Sequence, residues 1–162
     1  LYPRILEEIN FQYLQLLPLQ YKFNELSDRL ENIKLSNERK LYYYYQKGIA
    51  FEALGDTVNA KIAFEAAVKT QNLFDKAYVH MADYLPEDQS YEFLVEASYL
   101  LPKSAPIYKK LAIESLKRYM NTYAEVSLEK LSILLSEKEF TKFKINYDLV
   151  KQEAEKAFNE GL

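Results

Sequence analysis

A run of carboxylates is the part of this sequence with the clearest potential for chemistry. Paired carboxylates can bind a divalent cation or act as an acid and base pair. A helix start explains the same run, because acids near its N-terminus face the positive end of the helix dipole and Glu92 and Glu96 share one solvated face. We therefore predict no metal site and no catalytic role for the five acids, Asp83, Glu87, Asp88, Glu92 and Glu96.

Other reactive side chains are scarce. His80 is the only histidine and the chain has no cysteine, so thiolate metal sites, disulfides and Cys-His nucleophiles are excluded. No serine lies in a G-x-S-x-G elbow. Gly48, Gly55 and Gly161 lie too far apart to form a phosphate-binding loop. The sequence predicts a protein that is not an enzyme and that binds no cofactor and no metal.

The charge distribution argues against nucleic acid as the partner. The net charge is −3, and phosphate binding generally needs a broad basic surface. Basic residues concentrate in one short segment that follows the acidic run, and they comprise Lys103, Lys109, Lys110, Lys117 and Arg118. This patch is too small to indicate DNA or RNA binding.

The composition favours long helices in one domain. Of 162 residues, 49% are hydrophobic and only 3 are glycine and 5 proline, which suits a helical domain better than a loop-rich β fold. Most of the 15 tyrosines and 9 phenylalanines fall at helical spacing, so we expect them mainly in the core.

A helical hairpin is predicted over residues 41–54 and 57–71. Gly48 and Ala60 are expected where the two backbones approach most closely, with Phe51 and Phe64 filling the gaps. Gly55 can end the first helix in the left-handed conformation, and Asp56 can cap the second. The spacing is carried by Tyr44, Gly48, Phe51, Gly55, Ala60, Phe64 and Ala67.

This spacing resembles the tetratricopeptide repeat family, whose pattern reads W-x2-L-G-x2-Y, then A-x3-F, then P. The chain departs from it in that Tyr44 replaces the Trp, Lys47 the Leu and Asn72 the Pro. An ordinary hairpin in a helical bundle is the alternative, because small residues also lie at helix contacts there.

The pattern recurs with a period close to the family's, roughly 34 residues. In a second unit, Asp75 caps a short helix carrying Tyr78, Met81, Ala82 and Leu85. Pro86 then begins a partner helix that Pro102 stops, with Leu94, Ala97 and Leu101 on it. In a third unit, Ser104 and Pro106 open a helix carrying Tyr108, Leu111, Ala112 and Ser115, and the next helix carries Ala124, Leu128 and Leu131.

The two ends are predicted as a divergent helix pair and a capping helix. A helix over 3–17 pairs with one that Pro18 begins, whose apolar stripe is Leu19, Phe23, Leu26, Leu30 and Ile33. Near the C-terminus, Ser136 and Glu139 form a capping box for a helix that runs to Gly161, with Phe140, Phe143, Tyr147, Val150, Ala154 and Ala157 on one stripe.

The predicted fold is therefore all-α. The resemblance implies a right-handed α-α superhelix, a solenoid of about four helix pairs plus the capping helix, in one domain over 1–162. Its parts are the divergent pair at 1–37, three repeat-like units at 38–136 and the cap at 137–162.

The resemblance also implies a binding surface, because the first helices of such repeats line a concave groove. By helical phase the groove residues are Tyr42, Tyr45, Ile49 and Glu52, then Lys76, Val79 and Asp83, then Lys109, Ile113 and Leu116. We expect Tyr42, Tyr45 and Ile49 to be the main anchors for a peptide or helix. Packing of Tyr42 and Tyr45 on the preceding helix pair is the alternative.

Family members that clamp a chaperone's acidic tail use a Lys and an Asn where this chain has Tyr45 and Ile49, so that role is not expected. The resemblance implies a non-catalytic scaffold or assembly factor that binds another protein or peptide. The alternative is a ligand-sensing or regulatory domain of a longer signalling protein.

The sequence constrains location weakly. It has no signal peptide and no run that could insert in a membrane, so a soluble domain in the cytoplasm or a bacterial periplasm is expected. Leu1 in place of a methionine suggests a piece of a longer or processed chain. Exposed aromatic residues leave homo-oligomerisation open.

Overall fold

The structure is a computed structural model that describes residues 2–19, 22–32, 40–69 and 74–161. These residues form nine helices and no strand, which confirms the all-α prediction for this part of the chain. The helices are α1 (Tyr2–Leu19), α2 (Phe23–Asn32), α3 (Lys40–Ala53), α4 (Thr57–Lys69), α5 (Asp75–Asp83), α6 (Glu87–Leu100), α7 (Ala105–Lys117), α8 (Asn121–Leu134) and α9 (Glu137–Glu160). None of them is both long and apolar enough to cross a bilayer.

Two compact units divide the chain, Leu1–Ala77 and Tyr78–Leu162. We call them unit 1 and unit 2. Their boundary falls inside α5. The predictions of one domain and of a superhelical arrangement stay predictions.

In the α3–α4 hairpin of unit 1, Gly48 lies against the ring of Phe64; the closest approach of the backbones at Gly48 and Ala60 stays a prediction. A Cβ atom placed on Gly48 would lie 2.5 Å from Cε1 of Phe64. Phe64, Ala60 and Ala67 are fully buried. Helix α4 therefore packs directly against the backbone of α3 at Gly48.

The turn between α3 and α4 also follows the prediction. Gly55 has a φ of 77°, and its N–H donates to the carbonyl of Glu52 while the N–H of Asp56 donates to that of Phe51. These two bonds form a Schellman cap, which favours glycine. The Oδ1 atom of Asp56 accepts from the N–H of Asn59 at 3.1 Å, which caps α4.

The first two helices of unit 1 differ from the prediction at their junction. Helix α1 continues through Pro18 to Leu19, and α2 begins only at Phe23, so the prediction that Pro18 begins the second helix is wrong. Because proline has no N–H, the last turn of α1 has one intrahelical hydrogen bond fewer at Pro18. Ile33 and the side chains of Leu19, Phe23 and Leu30 from the predicted stripe lie outside the described residues.

Leu26, the remaining member of that stripe, is fully buried. It packs in one core with Leu14 and Leu17 of α1 and Ala50 of α3. Helix α2 therefore contacts both α1 and α3, as expected for a pair that precedes the hairpin.

Unit 2 is built around α7, which contacts α6, α8 and α9. Its core holds Ala112, Leu116, Ala124, Leu131 and Tyr147, contributed by α7, α8 and α9. The apolar stripe predicted for the last helix thus packs on α7 and α8, with Phe140, Phe143 and Val150 against the same core.

The predicted caps at the start of α7 and at both ends of α9 are present. The hydroxyl of Ser104 accepts from the N–H of Ile107 at the start of α7, and Ser136 and Glu139 form the capping box of α9. Gly161 ends α9 with a φ of 70°. Pro86 directly precedes α6, and α5 has only 9 residues, so Leu85 lies outside it.

Candidate functional site

An open groove of about 500 Å³ runs along α7 in unit 2. Helix α7 contributes six of its eight lining residues, and Val79 of α5 and Phe143 of α9 complete the lining. The full lining is Val79, Pro106, Lys109, Lys110, Ile113, Glu114, Lys117 and Phe143. We call this the α7 groove.

The local sequence fixes the face that α7 presents. Lys109, Ile113 and Lys117 are spaced by four residues, so they lie in one row along the helix. Ser104 caps the first turn and Pro106 lies within it, where proline's fixed φ is compatible with the helix. The start of α7, and with it the phase of this row, is therefore set by two short-range signals.

The apolar part of the groove is small and partly exposed. Val79, Ile113 and Phe143 are each half-buried, and the inner atoms of Ile113 and Phe143 pack against the core of unit 2. Side chains that already pack against the core lose little conformational entropy when a ligand covers them, so they are suitable anchors.

Cations border the groove. Lys110 forms an ion pair with Asp83, and the Nζ atom of Lys117 lies 3.0 Å from Oε1 of Glu114. Lys109 has no ion pair among the described residues. Its charge still acts locally, since the pKa of Glu139 is lowered first by hydrogen bonds from the side chain and backbone of Ser136 and in addition by Lys109.

Three of the predicted groove residues of unit 2 line this site, namely Val79, Lys109 and Ile113. Asp83 lies beside it through its ion pair with Lys110. Leu116 is fully buried in the core of unit 2, so its side chain is not exposed in the groove.

The predictions missed five lining residues, Pro106, Lys110, Glu114, Lys117 and Phe143. Both lysines belong to the basic segment that the sequence shows, and Lys117 follows Lys109 and Ile113 at the same spacing of four. Phe143 is in the predicted apolar stripe of the last helix, but nothing in the sequence says that this helix borders α7 at Ile113.

In unit 1 the predicted anchors belong to an aromatic cluster. The ring of Tyr42 lies 4.8 Å from that of Phe11 in α1, and the ring of Tyr45 lies 4.8 Å from that of Phe74 and 6.0 Å from that of Phe64. Both tyrosines are half-buried. Removal from water is the main reason why the pKa of each phenol is raised.

The other candidates of unit 1 are more exposed. Ile49 is half-buried, whereas Glu52 and Lys76 are exposed. Tyr42 contacts α1, as in the alternative of packing on the preceding helix pair, so unit 1 presents less free aromatic surface than the sequence suggests.

The acidic run shows no arrangement for metal binding. Asp83 pairs with Lys110, and Glu87 and Asp88 lie in the first turn of α6, where they face the positive end of its dipole. Within the described ranges, no three His, Asp or Glu side chains are placed to hold an ion together.

Comparison of the chain with protein-family models, with curated proteins and with solved structures gave no match. The site is therefore interpreted from its own geometry.

Proposed function

We propose that this chain is a non-catalytic protein-interaction scaffold that binds a short segment of a partner protein, and that the α7 groove is its binding surface. The single observation that carries the proposal is the groove itself, with a half-buried apolar strip between α5 and α9 and lysines along its border. The repeat-like character of the helix pairs is part of the same proposal.

The shape of the groove favours a polypeptide. Its volume of about 500 Å³ lies within the range of roughly 300–1,000 Å³ for ligand sites, but those sites enclose most of their ligand. The α7 groove is open along the helix. A bound segment could place one or two side chains in it and continue past both ends.

The side chains of the groove indicate the chemistry of that segment. Val79, Ile113 and Phe143 would contact an aliphatic or aromatic anchor, because buried apolar anchors supply most of the affinity in such interfaces. Lys109 would attract a carboxylate next to the anchor, and border charges of this kind mainly set orientation and association rate.

Selection from a random peptide library tests the proposal without knowledge of the natural partner. Peptides enriched on the wild-type protein should carry an apolar anchor flanked by Asp or Glu, and the Lys109→Ala, Ile113→Ala double variant should not retain them. A matched control is the Lys130→Ala, Ile133→Ala double variant, because both residues are exposed on α8 outside the groove.

Circular dichroism and thermal melting must first show that both double variants are folded. Enrichment that is equal on all three proteins would show that the peptides bind outside the α7 groove. A selection that enriches no sequence would contradict the scaffold proposal and favour the ligand-sensing alternative.

A further inference from the structure

Helix α7 ends at a tyrosine in a backbone conformation that normally selects glycine. Tyr119 has a φ of 59° and is the one non-glycine residue with positive φ in the described part of the chain. Its N–H donates to the carbonyl of Leu116 and the N–H of Met120 donates to that of Ser115. This is the Schellman pattern, with Tyr119 in the left-handed position.

The same chain uses glycine where only a cap is needed. Gly55 after α3 and Gly161 after α9 take left-handed conformations with φ of 77° and 70°. A bulky residue in this conformation is strained, and such strain is concentrated at functional sites. We therefore expect the side chain of Tyr119 to have a function that glycine could not supply.

The ring of Tyr119 lies against an exposed aromatic residue of α9. Its centroid is 5.3 Å from that of Phe158, with the ring planes inclined by 55°. The two residues remain 45% and 67% exposed, so the pair leaves surface open to a ligand.

These rings border a pocket of about 250 Å³ at this end of unit 2. The volume is far above the roughly 30 Å³ that one water molecule takes, and it suits a long side chain. The lining consists of Tyr119, Asn121, Ala154, Glu155, Phe158 and Asn159. We call it the Tyr119 pocket.

The one acidic group of the lining is Glu155. It has no ion pair among the described residues, and the neighbouring lysines of α9 bind other acids. Lys151 lies 3.5 Å from Glu125 and Lys156 lies 3.8 Å from Glu160. The pocket thus combines two open aromatic rings with an unpaired carboxylate, a combination that attracts a cation.

We propose that the Tyr119 pocket binds the guanidinium group of an arginine side chain from a partner polypeptide. A planar guanidinium can stack on an aromatic ring and still donate to Glu155, and it is more weakly hydrated than an ammonium group. The side-chain carbonyls of Asn121 and Asn159 supply further acceptors for its five donors. The pocket shares no lining residue with the α7 groove, so each site can be refuted alone.

Nuclear magnetic resonance titration with short capped peptides tests this site. The probes are Gly-Arg-Gly, its neutral analogue with citrulline in place of arginine, and Gly-Lys-Gly. The arginine peptide should shift the side-chain amide signals of Asn121 and Asn159 and the ring signals of Phe158. The citrulline peptide should leave them unchanged, and the lysine peptide should bind less tightly.

Two variants and one control complete the design. Tyr119→Gly should melt at a higher temperature, because glycine relieves the strain, and yet bind the arginine peptide at least about fivefold more weakly. Glu155→Gln should weaken binding by a similar factor. Glu153→Gln, an exposed acid of α9 outside the pocket, should bind as the wild type does.

Equal shifts with the citrulline peptide would overturn the proposal, since the charge would then play no part. Unchanged affinity in Tyr119→Gly would overturn it as well, and so would the absence of any shift at the pocket at high concentrations of the arginine peptide.

Discussion

Replacing Gly48 with alanine probes the contact between the backbone of α3 and the Phe64 ring in unit 1. The new Cβ atom would lie 2.5, 2.7 and 2.8 Å from three atoms of the Phe64 ring, whereas carbon atoms pack at roughly 3.5–4.0 Å. Phe64 is fully buried, so its ring cannot move into solvent. Either the ring leaves its preferred rotamer or α3 and α4 separate.

The expected change in unfolding free energy is a difference of two effects. Overpacking of this kind costs about 1–3 kcal/mol, while alanine is better than glycine in a helix interior by about 1 kcal/mol. Gly48→Ala should therefore destabilise the protein by up to about 2 kcal/mol. In a Phe64→Leu background the ring atoms are gone, so the same substitution should be neutral or stabilising.

Urea unfolding followed by circular dichroism measures this as a double-mutant cycle. Overpacking predicts a coupling free energy of at least about 1 kcal/mol between positions 48 and 64. Gly55→Ala is the matched control, because its Cβ would meet no atom within 4 Å and its cost comes from backbone strain alone. An equal effect of Gly48→Ala in both backgrounds would refute the contact, as would stabilisation in the wild-type background.

Three further substitutions test the packing and the caps. Tyr45→Ala should lower the free energy of unfolding by about 2 kcal/mol and lower the melting temperature, since the ring packs on two phenylalanines in unit 1. An unchanged melting temperature would instead indicate that Tyr45 is an exposed anchor for a partner. Ser136→Ala should cost about 1 kcal/mol. Hydrogen bonds from Ser136 lower the pKa of Glu139 below its ordinary 4.5. The part of the stabilisation that depends on the ionised Glu139 carboxylate is therefore complete above pH 4.5 and declines as the pH falls through the lowered value. Urea unfolding should show a smaller difference in unfolding free energy between wild type and Ser136→Ala at acid pH than at neutral pH. The stability of Tyr147→Phe relative to the wild type should rise at alkaline pH, because burial, and then the charges of neighbouring acids, raises the pKa of the Tyr147 phenol above 10.0 in the folded chain. The stability that the protonated phenol gives the wild type is complete below pH 10.0 and is lost as the pH rises through the raised value. A difference in melting temperature between the two proteins that is the same at neutral and alkaline pH would contradict this.

The features that sequence alone predicted are those with short-range causes. Helix ends are fixed by hydrogen bonds between residues close in sequence, so their caps can be predicted from the sequence alone. The examples here are Gly55, Asp56, Ser136 and Gly161. The Gly48 contact was also predictable, because a hairpin brings together residues at a spacing that the sequence itself displays.

The failures have long-range or competing causes. Pro18 is compatible with a helix start, but it can also occupy a last turn, and only the packing of α1 and α2 decides between these places. Leu116 has a helical phase that suits the groove, yet α8 and α9 bury it. Helical phase gives the direction of a side chain and not which helix covers it.

The Tyr119 pocket was not predicted for a related reason. Nothing in the local sequence marks the end of α7, since no glycine follows Arg118. The pairing of Tyr119 with Phe158 depends on how α9 lies against α7. A tyrosine at a cap position can be recognised as unusual only after the backbone conformation is known.

The central claim, that the α7 groove holds a segment of a partner protein, is tested most directly by one affinity comparison. The measurement is the fluorescence anisotropy of a labelled library-selected peptide with wild-type protein and with the two double variants. Lys109→Ala, Ile113→Ala should raise the dissociation constant at least about tenfold, which corresponds to about 1.4 kcal/mol, while Lys130→Ala, Ile133→Ala should leave it unchanged. Equal affinities for all three folded proteins would contradict the claim.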